Sequence, residues 1–258
     1  MIELAYTEYG NAGRPVIVMH GLFGSARNWT AIAKTLGETH RVLALDLRNH
    51  GASPHAATMT YGEMAEDVAG FIAAHGLEKP AVIGHSMGGK VAMRLALDAP
   101  ETPRGILVAD IAPVDYDHDM LDYIAAMKEL DLSGAQRRAE LQEQLAAQVD
   151  DTGITAFLMT NLERADDGFR WRVNLDAIET GMRDLTAFPA PEGAAYEGPA
   201  LFVTGDRSDY VQAADRPRIA ELFPAARTMT IKNAAHWLHA DQPQAFLKTA
   251  QAFLKAVD

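Results

Sequence analysis

The sequence predicts an α/β fold: a mainly parallel β-sheet with helices on both faces (the α/β class), interrupted by one inserted helical block. Three observations carry this. Short apolar and β-branched runs alternate with helical patterns along most of the 258 residues. The alternation breaks once, between about Ala112 and Ala195, where amphipathic stretches follow one another without a convincing strand. It then resumes to the end of the chain, and no repeat or flexible linker divides it.

The opening Met1-Ile2-Glu3-Leu4-Ala5-Tyr6-Thr7-Glu8-Tyr9 alternates apolar and polar residues, as a strand does. Val16 to Met19 is a compact apolar run suited to a strand buried on both faces. Trp29, Ile32, Ala33 and Leu36 recur at helical spacing before Gly37, and Val42 to Leu45 is the next strand, ending at Asp46. Thr60 with Glu63 makes a capping box, opening a helix lined by Met64, Val68, Phe71 and Ile72 and stopped by Gly76. Ala81 to Ile83 is a strand, Ser86 to Leu97 a helix, and Ile106 to Ala109 a strand ending at Asp110. The inserted block carries helical stripes such as Leu141/Leu145/Val149, Ile154/Phe157/Leu158 and Leu175/Ile178/Met182/Leu185. After it come a strand at Ala200 to Val203, a helix around Arg218 to Phe223, a strand at Arg227 to Ile231 and a closing helix over Phe246 to Leu254. The expected organisation is therefore a core of residues 1–111 and 196–258 and a helical cap of residues 112–195.

Composition narrows the function. The net charge is -12, from 35 acidic and 23 basic residues, which repels phosphate backbones and anionic membranes. Cysteine is absent, so disulfides, thiolate nucleophiles and thiolate metal sites are excluded. No run reaches the roughly 18 apolar residues of a membrane span, and the N-terminus lacks the basic flank and apolar run of a signal peptide. The expectation is a cytoplasmic protein, monomeric or homodimeric, that acts on small molecules.

Gly84-His85-Ser86-Met87-Gly88 fits G-x-S-x-G at a predicted strand-to-helix junction. There the turn is tight, its neighbours must be small, and the serine hydroxyl is lifted above the sheet at a helix N-terminus. The pattern alone would occur in about one unrelated chain in ten of this length, but far less often at such a junction. Ser86 is the expected nucleophile, with His85 beside it as a supporting residue.

Acyl transfer also needs backbone N–H donors for the developing oxyanion. Met87 N–H, just after the nucleophile, is one. The second should come from His20-Gly21-Leu22-Phe23-Gly24, with Leu22 favoured and Phe23 as the alternative. His20 reads as a buried residue shaping this loop. No Lys-Ser/Thr pair follows, so the loop is not a P-loop.

Of nine histidines, His236 in Asn233-Ala234-Ala235-His236-Trp237 lies between the last strand and last helix, where a loop can deliver an imidazole to Ser86. His239 is its rival; the small residues before His236 favour the latter. His50 looks like part of a hydrogen-bonded turn.

Together these motifs resemble the α/β-hydrolase superfamily across the chain. His20-Gly21-Leu22-Phe23-Gly24-Ser25, Asp46-Leu47-Arg48-Asn49-His50-Gly51, Gly84 to Lys90 and Asp110-Ile111-Ala112-Pro113-Val114-Asp115-Tyr116 are similar to the YbfF-like bacterial esterases. The resemblance implies ester hydrolysis under a helical cap, without a cofactor. It also exposes a departure. The superfamily's usual acid lies three residues past a glycine after the strand that here ends Val203-Thr204-Gly205, and that position is Ser208. A neutral serine cannot stabilise an imidazolium as a carboxylate does. Asp110, Asp206 and Asp209 are the candidates. Asp110 is favoured because its apolar surroundings imply burial, which demands a partner, and because the YbfF-like group carries the same run. Ser208 is then a supporting hydrogen bond.

Phe23, Phe157, Leu158, Trp171 and Trp237 are expected to line an apolar acyl pocket, with Leu162 a further candidate. Asp115-Tyr116-Asp117-His118-Asp119 lacks the spacing of a known calcium loop, so no metal is expected. Arg170-Trp171-Arg172 could meet an anionic leaving group, but reads rather as a solvated face with a packed tryptophan. The expected reaction is cleavage of a small or acyl ester, or of a thioester, through an acyl-enzyme. The alternatives are C–C bond hydrolysis or perhydrolysis on the same scaffold, and a ligand-binding receptor without turnover.

Overall fold

In the computed structural model, seven strands form one sheet in the order β1-β3-β2-β4-β5-β8-β9. The strands are β1 (Tyr6–Tyr9), β2 (Pro15–Met19), β3 (Arg41–Leu45), β4 (Ala81–His85), β5 (Gly105–Ala109), β8 (Ala200–Gly205) and β9 (Ala226–Ile231). All neighbours are parallel except β1, which runs antiparallel along β3 at one edge. The structure describes residues 1–117, 120–133, 137–166 and 168–258; His118 and Asp119 of the acidic run lie outside them.

The central strands are apolar on both faces because both faces are covered. Val16 and Val18 of β2 turn toward α1 (Thr30–Leu36) and the closing α10 (Pro243–Val257). Ile17 and Met19 turn to the other face, against α2 (Tyr61–Ala74), α3 (Met87–Asp98) and α8 (Arg216–Leu222). The Thr60/Glu63 capping box opens α2 as its spacing predicts. The chain leaves β2 for β3 on one side and returns to β4 on the other. Ligands in open α/β sheets bind at the carboxyl ends of strands flanking such a reversal. His20 follows β2 and Ser86 follows β4, so both motifs sit there.

Between β5 and β8 lie α4 (Leu121–Lys128), α5 (Arg138–Ala146), α6 (Thr152–Met159) and α7 (Leu175–Thr186). The buried residues of α7, Leu175, Ile178, Met182 and Leu185, join the same apolar core as α2 and α3. One expectation fails here: the inserted block also holds a hairpin, β6 (Leu162–Ala165) antiparallel to β7 (Gly168–Trp171). Its cross-strand pair Glu163/Arg170 is an ion pair at 2.6 Å, and Glu163 also binds Arg172 at 2.7 Å. Those arginines are spent on that carboxylate. Among the described residues no helix is long and apolar enough to cross a membrane.

Candidate active site

Ser86 stands between β4 and α3 at φ 51°, ψ -117°. A non-glycine residue there costs on the order of 1–3 kcal/mol and persists only where packing holds it. The holding contacts are close. Ser86 N–H donates to Ala109 O at 2.9 Å. A Cβ on Gly84 would sit 2.1 Å from Gly88 O, and one on Gly88 would sit 2.6 Å from Met19 O. The glycines of the motif are thus required by backbone approach, and they push the serine outward.

His236 reaches this serine from the loop after β9. Its Nε2 is 3.0 Å from Ser86 Oγ and its Nδ1 is 2.9 Å from Asp110 Oδ2. A carboxylate only accepts, so Nδ1 carries the proton and Nε2 is free to accept from the hydroxyl. Asp110 is fully buried, with Gly205 N–H donating to Oδ1 at 3.0 Å and Ser208 Oγ–H donating to Oδ2. Three donors surround one carboxylate, which is what a buried charge needs. Asp206 and Asp209 are exposed, and Asp206 instead accepts from Ala234 N–H at 3.3 Å. Tyr210 stacks on the His236 ring, centroids 3.6 Å apart. Sequence reasoning missed this residue.

The loop after β2 is set by two neutral histidines. Leu47 N–H donates to His20 Nε2 at 3.0 Å, so His20 Nδ1–H points at Gly21 O, 2.8 Å away. Phe23 N–H donates to His50 Nε2 at 3.1 Å, and His50 Nδ1–H points at Arg48 O, 2.9 Å away. Burial pushes His20 down to about 4 and His50 to about 3. Phe23 N–H is already committed, whereas Leu22 N–H and Met87 N–H have no partner among the described residues. Asn161 ties the inserted block to this loop by donating to Phe23 O at 2.8 Å.

His85 is buried, and its Nε2–H donates to His236 O at 2.8 Å, tethering the loop that carries that ring. Burial, with His239 and His236 adding to it, holds His85 well below the usual imidazole range. His239 is buried too, stacked on Trp29 at 4.8 Å, and does not approach Ser86. Lys90, also missed from sequence, is fully buried one turn past Ser86 and donates to Thr186 O and Ala187 O, each at 2.9 Å. Its ammonium lies 4.8 Å from the Tyr116 ring centroid, and burial lowers it to about 7 against the opposing pull of Asp115.

Two cavities meet at Ser86. The larger, about 500 Å³, is lined by Leu22, Phe23, Phe157, Leu158, Trp237 and His236 among others. The smaller, about 70 Å³, is lined by Leu22, Met87, Tyr61, Lys90, Met182 and Leu185 among others. Phe23, Phe157, Leu158 and Trp237 thus share the lining of the larger cavity. Trp171 does not: it faces a separate depression with Met127 and Leu175, and its indole N–H donates to Met127 O at 3.0 Å. Leu162 is likewise absent from both linings.

A doubly covered parallel sheet with a serine on its strained strand-to-helix turn defines an α/β hydrolase. The chain belongs to the α/β-hydrolase fold family, whose model matches residues 14–243. It is 40% identical over 254 residues to the sn-1-specific diacylglycerol lipase ABHD11 of Mus musculus, covering 95% of this chain and 82% of that one. It is 33% identical over 255 residues to esterase YbfF of Escherichia coli K12, covering 98% and 96%. Among solved structures, a marine microorganism esterase superposes with a TM-score of 0.95 at 41% identity, covering 98% of this chain and 100% of that one. The resemblance read from the four sequence motifs is thus a family relationship.

Proposed function

We propose that this protein hydrolyses carboxylic esters through an acyl-enzyme on Ser86, with His236 as base and Asp110 as the acid that orients it. The observation that carries the reading is the unbroken chain Ser86 Oγ, His236 Nε2 and Nδ1, Asp110 Oδ2, with contacts of 3.0 and 2.9 Å. Ser86 Oγ attacks the ester carbonyl carbon as its proton passes to His236 Nε2. The carbonyl oxygen becomes an oxyanion facing the N–H groups of Leu22 and Met87, each worth roughly 2.7–4 kcal/mol in such a site. Asp110 offsets the charge on the imidazolium. The intermediate collapses as His236 returns the proton to the leaving alcohol oxygen. Water, deprotonated by the same nitrogen, then cleaves the acyl-serine and releases the acid.

Residues 112–195 serve in this reading as a cap over the nucleophile, and residues 1–111 and 196–258 as the catalytic core. His85 and Ser208 act as positioning residues, one through the His236 backbone and the other through Asp110. The relatives named as esterases and as a diacylglycerol lipase support an ester rather than a C–C bond as the target. The test is p-nitrophenyl butyrate hydrolysis by wild type and Ser86→Ala. The expected result is loss of all but a residual turnover of roughly 10³–10⁴-fold over water; near wild-type rates in Ser86→Ala contradict the proposal.

A further inference from the structure

We infer that the two cavities meeting at Ser86 divide the substrate, a short acyl group filling the small one and a bulky, uncharged apolar alcohol the large one. This rests on the esterase reading and adds the substrate class.

The division follows from the tetrahedral carbon. Of its four substituents, one is Ser86 Oγ and one is the oxyanion, which faces Leu22 and Met87. The leaving oxygen must lie against His236 Nε2, because that nitrogen protonates it. The acyl chain takes the remaining direction, away from His236. His236 borders the large cavity and not the small one, while Met87 borders the small cavity and not the large one. The alcohol therefore belongs in the large cavity and the acyl chain in the small one. A long acyl chain laid against Phe157 and Leu158 would turn the leaving oxygen away from its proton donor. The pocket that the sequence reading assigned to the acyl chain is, on this division, the alcohol site instead.

Size sets the limits. The small cavity, at about 70 Å³, has about a seventh of the volume of the large one, so it takes the smaller of the two groups. A short acyl chain, acetyl to butyryl, suits it. The closed end is also tied down: Tyr61 OH donates to Leu185 O at 2.7 Å, and Lys90 Nζ holds Thr186 O and Ala187 O at 2.9 Å. These bonds fasten the C-terminal end of α7 to the core, so the pocket cannot lengthen cheaply. The large cavity, at about 500 Å³, lies in the range of drug-sized ligand sites. Its lining is rich in apolar and aromatic side chains, includes Asp241 and, among the described residues, contains no Lys or Arg. A phosphate-bearing leaving group such as coenzyme A finds no counter-charge there.

The test uses two ester series on the purified protein. One varies the acyl chain, from p-nitrophenyl acetate through butyrate and octanoate to laurate. The other keeps butyrate and varies the alcohol, from methyl to benzyl, with butyryl-coenzyme A beside them. kcat/KM is expected to fall roughly ten- to two-hundred-fold for the first methylene that the small cavity cannot hold, and further by octanoate, to rise from methyl to benzyl, alcohols of similar leaving ability, and to be poor for butyryl-coenzyme A. Met182→Ala is expected to recover octanoate, and Phe157→Ala to alter the alcohol series. Octanoate and laurate preferred by wild type, with Phe157→Ala rather than Met182→Ala changing the acyl profile, would overturn the division and leave the Ser86 esterase reading standing. No turnover of any ester in either series would contradict both.

Discussion

Asp110 Oδ2 stands 2.9 Å from His236 Nδ1, approaching from the end of β5 rather than from the loop after β8. That loop's place is taken by Ser208, which donates to the same oxygen. Asp110→Asn is expected to lower kcat by something near 10⁴-fold, because an amide neither fixes the imidazole tautomer nor offsets its charge. Asp206→Asn and Asp209→Asn, both at exposed carboxylates, should change kcat far less. Steady-state kinetics on the three variants checks the assignment; a crippled Asp209→Asn beside a mild Asp110→Asn contradicts it.

Ser208→Ala removes one donor of three from Asp110 and leaves the carboxylate in place. The expected cost is that of one hydrogen bond, roughly 0.5–1.5 kcal/mol or about tenfold at most in kcat. KM should stay near the wild-type value, since Ser208 borders neither cavity. A loss comparable to Asp110→Asn would make Ser208 part of the proton machinery itself.

Much of this site was legible in the chain. The G-x-S-x-G motif and the loop at His20 could be read because backbone crowding dictates their glycines. Asp110 could be read because a charge closing an apolar strand must find a partner. Other features depend on tertiary placement. Trp171 could be read as a large apolar side chain of the inserted block, but not which side of that block its ring faces. Strands β6 and β7 are four residues each and half-exposed, too short for period-two patterning. The available signal was the Asp-Gly step before Phe169, a recognised hairpin-turn pair, with Glu163 before it and Arg170 after it. Tyr210 had no local signal, and Lys90 closed the Gly84 to Lys90 motif without one for its contacts; these come from what the fold stacks on His236 and fastens to α7.

Gly88→Ala tests the crowding directly. Its Cβ would meet Met19 O at 2.6 Å and His20 O at 2.7 Å, both backbone atoms where β2 ends and the His20 loop begins. Overpacking of this kind typically costs about 1–3 kcal/mol. A lowered urea midpoint with sharply reduced turnover is expected, and an unchanged midpoint with full activity would show that the turn is looser than it looks.

Acid should weaken the fold before its carboxylates titrate. His20 and His50 are held at about 4 and about 3 in the native state, against 6.5 for free imidazole. Between those values the unfolded chain binds more protons, so stability is complete above pH 6.5 and is lost as pH falls toward 4. Each such histidine contributes about 1.4 kcal/mol per pH unit within that window. Urea unfolding at pH 7 and pH 5 should show a clear drop in midpoint; equal midpoints would mean that these rings are protonated in the fold.

The central claim is that Ser86 Oγ is the atom that becomes acylated, and covalent capture tests it most directly. Purified protein treated with a fluorophosphonate should gain one adduct by intact-protein mass, and peptide mapping should place it on Ser86. Ser86→Ala should gain none, and Asp110→Asn should label far more slowly than wild type. An adduct on another residue, or none on wild-type protein that retains its fold, would contradict the account.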